Sequence, residues 1–143
     1  SELADACRQS KVVGIHVCGS ISRQLKELLL RTSFDVLSHE FAGRPENFKA
    51  YSKAELESFG KRLSVGCVSS ARPEVEKPSD VKAIAARAVE EFGRELMFTP
   101  DCGFGALKPG GSAEEGYRAA VAKLRAMAEA IRELRAEFGV RPP

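Results

Sequence analysis

His16 and Cys18 lie two residues apart in an apolar stretch, residues 12–18, that reads as a short buried strand. Side chains two apart on a strand leave the same face, so this spacing sets an imidazole beside a thiol. Glu40 stands at the C-terminal end of a second strand-like stretch, residues 34–41. Cys102 follows the end of the fourth such stretch, residues 96–99, inside a Pro-Asp-Cys-Gly turn. One imidazole, two thiols and a carboxylate form a donor set that suits tetrahedral zinc. An isolated H-x-C arises easily by chance, and a buried cysteine commonly serves as a small hydrophobe. What favours a metal is convergence, because all four residues fall at the carboxyl ends of strands, the functional end of parallel α/β sheets.

The elements that must position these residues alternate. Strand-like segments start near residues 12, 35, 63 and 96, and a helical pattern follows each. Apolar residues at 21, 25, 28 and 29 mark a helix over 21–30. The stretch 47–59 is helical, and Ser52 with Glu55 forms a capping box that divides it into two short helices. Residues 63–68 are the third strand. Ser79 is the expected N-cap of a helix that Gly93 ends. Ser112 and Glu115 form another capping box, opening a helix over 113–138 whose Tyr117, Val121, Leu124, Ala128, Ile131, Leu134 and Phe138 make one apolar stripe. Four consecutive βα units predict a parallel sheet in a single α/β domain spanning 1–143, with strands apolar enough to be covered on both faces. They serve either an open doubly wound sheet or half of a (β/α)8 barrel, since a whole barrel needs about 250 residues.

Composition narrows the function. The chain has 143 residues, 43% of them hydrophobic. Its 22 Lys and Arg against 20 Asp and Glu give a net charge of +2, which argues against a basic nucleic-acid-binding face. Its apolar runs are far shorter than the roughly 20 residues of a membrane span, and no basic start leads into an apolar signal segment. The four cysteines, Cys7, Cys18, Cys67 and Cys102, include no CxxC pair and do not suggest a disulfide framework. The expectation is a soluble, cytoplasmic protein that binds neither nucleic acid nor membrane. The opening residues, which lack an initiator Met, read like the last turns of a helix and suggest a fragment or processed chain.

Four strings in order carry a resemblance: Gly-Ile-His-Val-Cys-Gly, Asp-Val-Leu-Ser-His-Glu-Phe-Ala-Gly, Val-Gly-Cys-Val and Thr-Pro-Asp-Cys-Gly. Together they resemble the C-terminal catalytic domain of the cobalamin-independent methionine synthase family, in its short archaeal-type form. The resemblance runs the length of the chain. It implies the C-terminal half of a TIM barrel, strands five to eight, with zinc held by His16, Cys18, Glu40 and Cys102. It further implies a methyltransferase of methionine biosynthesis that moves a methyl group to the thiol of homocysteine, from a methylated corrinoid protein or a methyl-folate. Two thiolates and a carboxylate set −3 against Zn²⁺, and Glu40, the hardest donor of a soft set, is the ligand expected to loosen when a thiol substrate arrives. Where the family often carries Asp in the loop after the third strand, this chain has Val68-Ser69-Ser70, which leaves a role for Ser69 open.

Two other functions fit the same residues: a related zinc methyltransferase acting on another thiol of the coenzyme M type, and a non-catalytic zinc-binding half-barrel subunit. The His-Glu-Phe-Ala-Gly and Pro-Asp-Cys-Gly segments favour the first reading. A half-barrel leaves two sheet edges and an apolar interior open, so it should require its N-terminal half or self-associate. Among the remaining candidates, His39 should point away from Glu40, Cys67 belongs to the core and Cys7 to a helix face. Asp101 either orients a zinc ligand from behind or shapes its turn. Arg44, Arg72 and Lys108 are loop cations on the presumed active face.

Overall fold

A computed structural model describes residues 6–7 and 10–140, so most of the opening helical segment lies outside the described residues. The elements are β1 (Gly14–His16), α1 (Arg23–Leu30), β2 (Val36–Glu40), a 3-10 turn (Pro45–Lys49), α2 (Lys53–Ser58), β3 (Arg62–Val68), α3 (Pro78–Phe92), β4 (Met97–Pro100), a second 3-10 turn (Pro109–Gly111) and α4 (Ala113–Glu137). The four strands form one parallel sheet in the order β1-β2-β3-β4.

That order decides between the two architectures. In a doubly wound sheet the strand order reverses at a switch point and helices cover both faces. Here each strand pairs with its chain neighbour, and α1, α2 and α3 contribute to one core on one face. Leu29, Leu30, Leu56, Ala88 and Phe92 pack with Leu37, Phe41, Leu63 and Val65. The sheet is therefore half of a (β/α)8 barrel.

The expectation that both strand faces are apolar is corrected. Ile15, Leu37, Leu63, Val65 and Phe98 face the helices. The opposite face, read from the register, carries Gly14 and His16, Val36, Ser38 and Glu40, Ser64 and Gly66, and Met97 and Thr99. Period-two alternation sends small and polar residues to the side that becomes a barrel interior, and there Ser64 Oγ lies 3.1 Å from Thr99 Oγ1.

Helix ends follow local chemistry. Both capping boxes form, at Ser52 with Glu55 and at Ser112 with Glu115. α1 begins two residues later than expected, where Ser22 Oγ accepts from the Leu25 N–H. The expected Ser79 cap is replaced by Lys77, because Pro78 takes the first helical position, which suits its fixed φ and absent N–H.

The stripe expected on α4 is also corrected. Tyr117 is 71% exposed and Leu124 and Phe138 are exposed as well. Of the stripe only Leu134 is buried, with Val121 and Ile131 half-buried, and the helix otherwise buries Gly116, Lys123, Ala126 and Ala130. The reason is that, among the described residues, β4 is the sheet edge, and no further strand packs beside it to cover the stripe. A groove lined by Leu96, Met97, Phe98, Met127, Ala128 and Ile131 runs along that edge.

Lys123 is a charged residue inside this packing, with no exposed side-chain surface. Its Nζ donates to Glu76 Oε2 at 2.8 Å and to the Glu74 carbonyl, while Glu76 Oε1 accepts from the Ser69 N–H at 2.9 Å. The last helix thereby fastens the loop that follows β3. Lys123→Ala strands the Glu76 carboxylate and is expected to cost about 3–5 kcal/mol in urea unfolding. Lys123→Met combined with Glu76→Gln, which removes both charges, should recover most of that loss.

Candidate metal centre

His16 ends β1, and the Val17 N–H still donates to the Ser38 carbonyl at 3.0 Å, so strand geometry persists to Cys18. The two side chains accordingly share a face: Cys18 Sγ lies 3.2 Å from His16 Nε2. Cys102 arrives from the turn after β4, its Sγ 3.6 Å from Cys18 Sγ. The donor atoms of His16, Cys18 and Cys102 all fall within 4.8 Å of one another.

This spacing fits one tetrahedral ion. Zinc–sulfur bonds of about 2.3 Å at a tetrahedral angle place two sulfurs roughly 3.8 Å apart. The cysteines are free thiols, their sulfurs well beyond the roughly 2.05 Å of a disulfide. The electrostatics agree. The Cys18 thiol is held above its ordinary pKa, first by its hydrogen bond with Cys102, then by burial and by the negative potential of Cys102 and Glu40. A donor set that suppresses its own ionisation in this way is one that a cation relieves.

Glu40 is close by but outside the three-residue cluster. Its Oε1 accepts from the Gly19 N–H at 3.2 Å, and its Oε2 lies 3.8 Å from Arg44 Nε. Asn47, which the sequence reading passed over, sets this corner. Its buried Nδ2 donates to the carbonyls of Gly19 at 3.0 Å and Glu40 at 2.8 Å, and its Oδ1 accepts from the Ile21 N–H at 2.9 Å. An Asn within a short 3-10 turn carries no sequence signal for such a role.

Asp101 shapes more than its own turn. Its Oδ1 accepts from the N–H groups of Phe41 at 3.0 Å and Ala42 at 3.1 Å, and its Oδ2 from Gly43 at 2.7 Å. It touches backbone rather than a ligand side chain, and it ties the Cys102 turn to the chain leaving Glu40. Burial raises its carboxyl pKa, while the three N–H bonds act the other way. The close approach requires glycine at position 66, where a Cβ would lie 2.5 Å from Asp101 Oδ1 and 2.8 Å from the His39 carbonyl.

The other sequence candidates sort cleanly. His39 is fully buried and faces away from the cluster, with Nδ1 3.2 Å from the Val17 carbonyl and Nε2 3.0 Å from Tyr51 Oη. Burial lowers its pKa. Cys67 is core, its thiol pushed up to about 12 by burial. Ser69 Oγ accepts from the N–H groups of Ala71 and Arg72 and so shapes its loop. Cys7, Arg44, Arg72 and Lys108 are exposed. Among the described residues no helix is long and apolar enough to cross a membrane.

The profile of the catalytic domain of the cobalamin-independent synthase matches residues 3–133. The methionine synthase of Methanothermobacter marburgensis is 37% identical over 122 residues, covering 85% of this chain and 36% of that protein. The methionine synthase of Methanothermobacter thermautotrophicus is 36% identical over 116 residues, covering 80% and 34% respectively. The chain thus spans about a third of the length of these curated relatives. A B12-independent methionine synthase from a Shewanella species, solved in complex with selenomethionine, superposes with a TM-score of 0.67 at 19% identity. That superposition covers 95% of this chain and 42% of the other, and it supports the half-barrel fold.

Replacing Asp101 tests the clamp. Asp101→Ala takes the acceptor from the Gly43 N–H and leaves those of Phe41 and Ala42 with the Gly66 carbonyl alone, and is expected to cost about 1–3 kcal/mol in chemical denaturation. Amide exchange should accelerate at residues 41–43 first. Asp101→Asn, which keeps one acceptor oxygen, should lose less.

Proposed function

The chain belongs to the family of the cobalamin-independent synthase catalytic domain, and we propose that it is the zinc-binding half of a methyltransferase that forms methionine from homocysteine. The observation that carries this reading is the cluster of His16, Cys18 and Cys102 at the carboxyl ends of β1 and β4, with donor spacings suited to one tetrahedral ion. In this reading His16, Cys18 and Cys102 hold zinc, and Glu40 completes the set. Zinc there supplies a Lewis acid that keeps a substrate thiol deprotonated yet nucleophilic near neutral pH.

The residues of this chain do the positioning. β1 presents imidazole and thiol on one face, and Asp101 and Asn47 fasten the Cys102 turn and the Glu40 corner around them. Glu40 would be the ligand to give way to a thiol substrate, because its carboxylate already has the Gly19 N–H as an alternative partner and Arg44 nearby. The methyl donor is a methylated corrinoid protein or a methyl-folate, approaching from the helix-free face. Substrate groups other than the thiol are met by four further βα units that complete the barrel, supplied by an N-terminal half or by a second copy of this chain. The domain spans residues 1–143 and acts in the cytoplasm.

Elemental analysis tests the centre. About one zinc per chain is expected, largely lost in Cys102→Ser, whereas a folded chain supplied with zinc that takes up none contradicts the reading. Glu40→Gln should keep part of the zinc and lose methyl transfer to homocysteine; full zinc with full activity would remove Glu40 from the set.

The open barrel makes a separate prediction. Sedimentation velocity should show concentration-dependent association of the isolated chain through its uncovered edges. A monodisperse monomer of native-like stability would contradict the need for a completing half.

A further inference from the structure

We propose that Ser38 is the positioning residue that holds the His16 ring in either tautomer, and that its hydroxyl lets the imidazole change from a thiol partner to a metal ligand without turning over. The inference rests on the metal-centre reading and adds a residue to it. His16 and Ser38 are direct partners in the β1–β2 register and share the helix-free face. Ser38 Oγ lies 3.0 Å from His16 Nδ1. The other ring nitrogen, Nε2, lies 3.2 Å from Cys18 Sγ. Both nitrogens are therefore engaged, one by a hydroxyl and one at the cluster.

A neutral imidazole carries one N–H and one lone pair. With no ion present, the ring can place its proton on Nε2 and donate to Cys18 Sγ, and Nδ1 then accepts from the Ser38 O–H. With an ion present, the Nε2 lone pair must face it. The ring proton then resides on Nδ1 and donates to Ser38 Oγ, whose O–H swings away. The ring holds one proton in both arrangements, exchanging it through solvent. Its plane and its contacts are unchanged.

A metal-ligating histidine usually donates its second N–H to a carboxylate, a carbonyl or water. A carboxylate or carbonyl only accepts, so it supports the metal-bound tautomer alone. A hydroxyl donates and accepts, and so supports both. Ser38 thus holds the ring in place while the site is empty and remains a partner once it fills.

Ser38→Thr and Ser38→Val separate the hydroxyl from everything else. The two side chains have nearly the same shape, both suit a strand, and they differ in the O–H. In competition with a chromophoric chelator, the Thr variant should bind zinc within a few-fold of the unsubstituted chain. The Val variant should bind roughly ten- to a hundred-fold more weakly. Nitrogen-15 shifts of the ring give a second readout on the metal-free chain at about pH 8, above the ordinary histidine range. The chain has two histidines, so His39 serves as internal reference. The His16 Nδ1 shift should be that of a hydrogen-bonded nitrogen in the unsubstituted chain and in Ser38→Thr, and should move away from it in Ser38→Val. Equal zinc affinity and equal His16 shifts in the Thr and Val variants would overturn the proposal. Absence of zinc uptake by the unsubstituted chain would instead strike the metal-centre reading, and the metal-free shifts would still decide whether Ser38 holds the ring.

Discussion

The carboxylate of Asp101 holds three consecutive backbone N–H groups, those of Phe41, Ala42 and Gly43, and the candidate centre depends on that contact. β2 and β4 are not sheet neighbours, since β3 lies between them. A side chain from the turn after β4 must cross the end of β3 to reach the chain leaving β2. Gly66 makes the crossing possible by offering no Cβ where the Asp101 oxygen and the His39 carbonyl pass. The consequence is positional: Cys102 follows Asp101, and Glu40 precedes Phe41. One ionic cradle therefore sets the distance between two candidate ligands that are 62 residues apart in sequence. Buried anions are costly alone, but three backbone donors converging on one carboxylate provide the hydrogen bonds that make such burial tolerable.

The remaining candidate ligands come from strand geometry. Because β1 alternates, Ile15 and Val17 go to the helix-side core while His16 and Cys18 go to the other face. His39 shows the same rule from the opposite side. It neighbours Glu40 in sequence, yet it is buried among the helices, where it bridges the Val17 carbonyl and Tyr51. That bridge ties the peptide between His16 and Cys18 to the core. The helix side thus supplies rigidity and the other side supplies donors, a division that period two imposes on any strand of this kind.

The open edges explain what this half of a barrel lacks. A parallel sheet is normally covered on both sides, and a barrel removes its edges by closure. Here β1 and β4 are terminal, and the apolar residues of α4 that look past β4 remain exposed along with Met97. The polar character of the helix-free face belongs to the same picture. Ser38, Ser64 and Thr99 find partners across the strands rather than in an apolar core, on the face that carries His16.

The sequence by itself determined the alternation of elements, both capping boxes, the shared face of His16 and Cys18, and the family, because each of these is a matter of short-range spacing and residue type. Asp101 and Cys102 were legible as a turn next to a strand end, for the same reason. The βα alternation left open whether the sheet is singly wound, since strand order is a long-range property; the family resemblance implied the half-barrel, and the tertiary structure bears it out. Only the tertiary structure decided that α4 buries Lys123 and small residues while exposing Tyr117, Leu124 and Phe138 of its apolar stripe, because burial depends on what packs beside β4. The roles of Asn47 and Ser38, and the three N–H groups that Asp101 holds, were likewise invisible in sequence. A polar side chain takes its meaning from the group opposite it, and those groups lie 7 to 60 residues away in the chain.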